Sequence, residues 1–200
     1  MKDYEEFYSN GGFGYNKESS HKWIFNKIFS NPPPESETLL DVACGDGFWS
    51  FILASRFKVT GIDVSQSGIN IARQKVHTET SQSIKFTCGD ALELESSFDI
   101  VFCRGPSFLN LPPADPRFIE NITKMYSLCN KELIYIQYTQ KPYGRWDESN
   151  LFDKDSDSKT YYNSKWYYHD PEELYKVFSQ LGNAEVRDID SYIVGKIKKI

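Results

Sequence analysis

Residues 39–50, Leu-Leu-Asp-Val-Ala-Cys-Gly-Asp-Gly-Phe-Trp-Ser, pass from an apolar run into two glycines, Gly45 and Gly47, and then into a helical pattern. Glycines in such a turn let the main chain approach a ligand closely, and the helix that follows opens on unpaired N–H groups. The next apolar run, Lys58 to Asp63, ends on a carboxylate 18 residues after Gly45. A carboxylate there can accept two hydrogen bonds from the hydroxyls of a ribose. Gly89-Asp90-Ala91 closes a third run, and Cys103-Arg104-Gly105 closes a fourth. Four run ends carrying small or polar residues predict one ligand-binding edge. The bland alternative is a tight strand-to-helix turn beside an incidental acid.

The order of elements decides whether the four ends can meet. Strand-like runs at 38–44, 58–63, 84–88, 98–104 and 132–138 alternate with helical stretches at 48–56, 66–76 and within 116–129. Near-continuous apolar strands separated by helices predict a parallel sheet covered on both faces, a doubly wound α/β fold. Asp170, Pro171 and Glu173 have the N-cap, N1 and N3 character of a helix start. After Leu181-Gly182 come runs 184–190 and 192–198, separated by Ser191, as a tight hairpin or one bent strand. Residues 18–29 pair Ile24 with Ile28 and Phe25 with Phe29 on one helical face, and Pro32 to Pro34 stop that helix. The expected division is an N-terminal cap over 1–36 and a domain over 37–200, with a lid-like insertion at about 140–168.

Composition removes several classes. The chain has 200 residues, a net charge of −5 and 40% hydrophobic residues, which suits one folded domain. No cluster of Lys and Arg suits a nucleic-acid partner, and no apolar stretch suits a membrane span or a signal peptide. Cytoplasmic placement is the expectation. Cys44, Cys88, Cys103 and Cys129 lack metal-ligand spacing and read as free, mostly buried thiols. Asp153, Asp155 and Asp157 fail as a calcium loop, because the sixth and twelfth positions are Ser158 and Ser164. No metal is expected.

The motif set resembles that of the class I S-adenosylmethionine-dependent methyltransferases, from about residue 37 to the C-terminus, most strongly at LLDVACGDG. The resemblance implies a seven-stranded, mostly parallel sheet with an antiparallel last strand, and S-adenosylmethionine as cofactor. It implies that the main chain of Ala43, Cys44, Gly45, Gly47 and Phe48 faces the methionine part, with Asp41 supporting its amino group. Asp63 would bind the ribose, Val64 pack on the adenine, and Gly89, Asp90 and Ala91 hold the adenine edge. Cys103 and Arg104 would lie near the reacting end. Ala43 departs from a common glycine. A nicotinamide-binding protein would want a third glycine where Ser50 stands, and a second half that this chain lacks.

Little is left for catalysis, since such a cofactor brings its own electrophile and the protein aligns a nucleophile. His77 follows a surface helix. His21 and His169 are the candidates for a general base at the mouth of the site. Residues 1–29 and 141–168 each hold eight of the aromatics. Tyr15, Tyr143, Trp146 and Trp166 are the expected walls of an acceptor pocket for a small molecule. The expected reaction is methyl transfer to an oxygen or nitrogen of that acceptor. Alternatives are a protein or peptide methyltransferase, an NAD(P)-dependent oxidoreductase, and a non-catalytic cofactor-binding subunit.

Overall fold

The computed structural model describes residues 2–10, 25–29, 37–78, 84–147 and 166–200. Five parallel strands, β1 (Thr38–Val42), β2 (Lys58–Asp63), β3 (Ile84–Cys88), β4 (Phe98–Arg104) and β5 (Cys129–Tyr138), form the centre of a sheet. A short two-stranded antiparallel sheet, β6 (Arg145–Asp147) with β7 (Trp166–Tyr168), follows β5 in the chain. The main sheet is completed by the antiparallel hairpin β8 (Asn183–Ile189) and β9 (Tyr192–Lys198), in the order β3-β2-β1-β4-β5-β9-β8. Asp190 makes the hairpin turn at φ 56°, a left-handed conformation that Asp tolerates better than most residues.

Both faces of the sheet are covered, which is why its strands read as continuous apolar runs. On one face α2 (Phe48–Leu53), α3 (Gln66–Thr78) and helical residues 25–28 pack over Leu39, Val59, Phe86, Phe102 and Ile134. On the other, α4 (Pro116–Ser127) and α5 (Pro171–Phe178) pack over Leu40, Val101, Leu133 and Tyr135. Side chains alternate between faces along each strand. Asp41 and Arg104 therefore share the α2 face with Leu39 and Phe102, whereas Gln137 shares the α5 face with Tyr135.

Several boundaries differ from expectation. Helix α2 ends at Leu53 rather than Arg56, because the turn through 54–57 buries Phe57 against Phe29, ring centres 5.2 Å apart. Strand β5 starts at Cys129, paired with Phe98, so α4 stops at Ser127. Helix α3 runs on through His77 to Thr78. Asp170 caps α5 as expected, accepting from the N–H groups of Glu172 and Glu173 at 2.7 and 3.2 Å. An unexpected helix, α1 (Lys2–Ser9), packs on α3.

Candidate functional site

The C-terminal ends of β1, β2, β3 and β4 lie side by side, as the parallel register requires. At β1 the chain turns through Ala43 at φ 56°, Gly45 at φ 55° and Gly47 at φ 81° before entering α2. Three left-handed residues in five explain the glycines, and they explain why glycine would be easier than Ala43. Asp63 joins the turn to β2: its carboxylate accepts from Gly45 N–H and from Ser65 N–H, both at 2.8 Å. Gly89 N–H donates to Asp63 O at 2.9 Å and ties in the end of β3. Asp90 caps the turn Ala91–Glu93 through Leu92 N–H at 2.9 Å.

The electrostatics of this edge are acidic and dry. Asp41 is 1% exposed and accepts from Ser50 Oγ at 2.6 Å. Burial pushes its carboxyl up to about 7, opposed by that hydrogen bond. Burial also raises Asp63, against its two backbone hydrogen bonds. Asp46 pairs with Lys75 at 3.1 Å. The Arg104 guanidinium lies 5.7 Å over the Trp49 ring, and its charge favours ionised Asp41. Two buried carboxylates at one edge suit a ligand that presents an ammonium and hydroxyl donors.

Asp41, Ala43, Cys44, Phe48 and Arg104 line one cleft together with Asp46, Trp49 and Tyr8. Its volume is about 40 Å³ because α1 closes it. Tyr8 is 5% exposed, and a Cβ on Gly45 would lie 1.9 Å from its hydroxyl oxygen. Burial and the charges of Asp63 and Asp46 hold the Tyr8 hydroxyl protonated. Glu5 anchors the helix, accepting from Ser65 Oγ at 2.7 Å and Ser67 N–H at 3.1 Å. The donor set fits an S-adenosyl nucleoside; admitting one requires α1 to shift from Gly45. Tyr8 and Glu5 were legible only as spacing, since Tyr4, Phe7 and Tyr8 recur at helical intervals. A larger cleft of about 500 Å³ lies at the opposite edge, among Glu37, Lys131 and Lys196, far from the glycine turn.

The other expected residues separate. Val64, beside Asp63, is 46% exposed, and Cys103 is fully buried in the core. His169 is also fully buried. Its Nε2–H donates to Leu111 O at 2.8 Å, so Nδ1 is the acceptor for the Tyr135 hydroxyl at 3.3 Å. Burial lowers it to about 4. With both nitrogens engaged, His169 pins the core instead of facing a mouth. Trp166 lies against Gly105, Trp146 is exposed on the outer side of Tyr167, and the Tyr143 hydroxyl donates to Asp188. His21, Tyr15 and the acidic run 153–157 lie outside the described residues.

Such a sheet, with a glycine turn after β1, an acid ending β2 and an antiparallel β9, defines a Rossmann-like methyltransferase architecture and not the two symmetrical halves of a dinucleotide-binding domain. Residues 34–187 match the model of a methyltransferase-domain family. The chain belongs to that family and has the fold of the class I S-adenosylmethionine-dependent methyltransferases. It is 33% identical over 107 residues to a demethylmenaquinone methyltransferase of Bacillus licheniformis, covering 50% of this chain and 44% of that protein. The chain thus spans less than half of that relative. A DhpI structure in complex with SAH superposes with a TM-score of 0.71 at 17% identity, covering 96% of this chain and 91% of the other. Magnesium protoporphyrin IX methyltransferase from Synechocystis PCC 6803, with bound SAH, gives 0.62 at 18% identity, covering 90% and 81%.

Proposed function

We propose that this protein transfers the methyl group of S-adenosylmethionine to an oxygen or nitrogen atom of a small-molecule acceptor in the cytoplasm. The observation that carries the reading is the buried pair Asp41 and Asp63 around the Gly45 turn. Bound there, the cofactor supplies an electrophilic methyl group on a sulfonium. Asp41 accepts from an ammonium group, which draws the carboxyl to its ionised form, and Asp63 keeps lone pairs for ribose hydroxyls. Once α1 carries Tyr8 off Gly45, the Ala43 to Gly47 main chain would admit close approach, Asp90 and Ala91 would hold the adenine edge, and Val64 would pack on its face. The protein's remaining task is to hold the acceptor in line and exclude water. His169, with both ring nitrogens engaged in the core, takes no part in proton transfer. Of the three expected aromatic walls among the described residues, Trp166 is the one that lies against the strand edge, at Gly105.

Calorimetry with S-adenosylmethionine, S-adenosylhomocysteine and NAD(P) tests the cofactor, with binding expected for the first two alone. Labelled S-adenosylmethionine mixed with a fractionated small-molecule extract then tests transfer. Label appearing only in protein would shift the assignment to a peptide acceptor, and binding without transfer to a non-catalytic subunit.

A further inference from the structure

Beyond Arg104 the edge holds polar atoms that cofactor binding does not use. Gln137, near the end of β5, is 1% exposed. Its amide orientation follows from its neighbour. Asn110 Oδ1 accepts the Tyr167 N–H at 2.9 Å and so faces donors, and Gln137 Nε2 points to it at 3.5 Å. Gln137 Oε1 is thereby turned the other way, buried without a hydrogen-bond partner. It meets Gly105, where a Cβ would lie 3.2 Å from Oε1 and 3.8 Å from the Trp166 ring. Trp166 Nε1 and Arg104 Nε are likewise buried and unpartnered among the described residues. Buried polar atoms are rarely left so, and the two that adjoin Gly105, Gln137 Oε1 and Trp166 Nε1, call for a ligand with complementary groups.

We propose, on the methyltransferase reading above, that Gln137 and Trp166, meeting over Gly105, anchor the acceptor, and that this acceptor is a planar ring bearing a hydroxyl. The hydroxyl hydrogen goes to Gln137 Oε1, and an oxygen lone pair of the same molecule takes the Trp166 N–H. The ring packs on Trp166. An ammonium group satisfies this set poorly. It has no lone pair for Trp166, and it would stand near the fixed charge of Arg104. Gly105, at φ 60°, is the residue that fits here, since a Cβ would crowd Gln137 Oε1 at 3.2 Å.

The test uses the full chain saturated with S-adenosylhomocysteine, whose own binding is measured first. Phenol and anisole, in which a methyl group replaces the hydroxyl hydrogen, are then titrated by NMR. Phenol should bind about tenfold more tightly than anisole. The Gln137→Leu variant should abolish that preference while leaving the affinity for S-adenosylhomocysteine unchanged. Trp166→Phe, which keeps the ring and removes the N–H, should weaken phenol severalfold, and it decides the matter together with the wild-type ratio if Gln137→Leu does not fold. Equal affinity for the two probes, binding of neither, or a preference that survives both substitutions overturns the proposal. Failure of S-adenosylhomocysteine to bind overturns the methyltransferase reading instead.

Discussion

The two halves of the C-terminal edge are built on different principles. Around Gly45 the site is local: a turn, the strand end beside it and the acid that closes the next strand lie within 25 residues, and Asp63 bonds directly to the turn. Around Gly105 it is assembled from afar, with Asn110, Gln137, Tyr167 and His169 brought together by β5, β7 and the segment before α4. The first half stores buried acids and the second a buried neutral base. Their stabilities should therefore respond to pH in opposite senses.

Asp41 gives the largest contrast. Its folded pKa of about 7 lies above the ordinary carboxyl value. The stability it contributes is thus complete below about pH 4 and is lost as pH rises through 7. Asp41→Asn keeps an acceptor for Ser50 and should stabilise the ligand-free protein at pH 8, by up to about 4 kcal/mol, with no gain at pH 4. Urea unfolding at both pH values measures it, and an equal effect at the two would remove Asp41 from the dry half of the comparison.

His169 works the other way. Its folded pKa of about 4 lies below the ordinary imidazole value. Stability is complete above about pH 6.5 and falls as pH drops toward 4, by about 3 kcal/mol in all. In His169→Gln this acid-sensitive component should vanish from the urea midpoints. Persistence of the full loss would assign it to other groups.

Asp63→Ala should weaken binding of S-adenosylhomocysteine by about 1 to 3 kcal/mol, as for hydrogen bonds to a charged group, with acceptor probes unaffected. Calorimetry distinguishes the two halves here. Ala43→Gly should be the smallest effect, a gain of about 1 kcal/mol in stability, because the residue sits at φ 56°. Thermal unfolding that moved downward would mean the turn relies on the Ala43 methyl group.

Legibility followed the same division. Strands β2, β3 and β4 begin and end where their apolar runs do, and the capping residues of α5 hold the positions their types announce. The glycine turn and Asp63 could be paired from spacing, because neighbouring parallel strands end level. Gln137 could not be found so. In the sequence it is one polar residue in an apolar strand, and its unpartnered oxygen exists only once Asn110 has fixed the amide. His169 misled because a histidine just before a helix looks exposed; Phe118, Tyr135 and Tyr167 close over it, Phe118 from 51 residues away.

Alternating burial and turn chemistry are local properties, and they were enough to determine the layered α/β fold, the strand edge that carries the glycine turn and the acids that stand there. Which side of a strand faces the site, which amide oxygen is left over, and that α1 folds back to lay Tyr8 on Gly45 depend on contacts between segments far apart in the chain. Those were decided only by the tertiary structure, because hydrogen-bond satisfaction and close packing are properties of the assembled edge and not of any one segment.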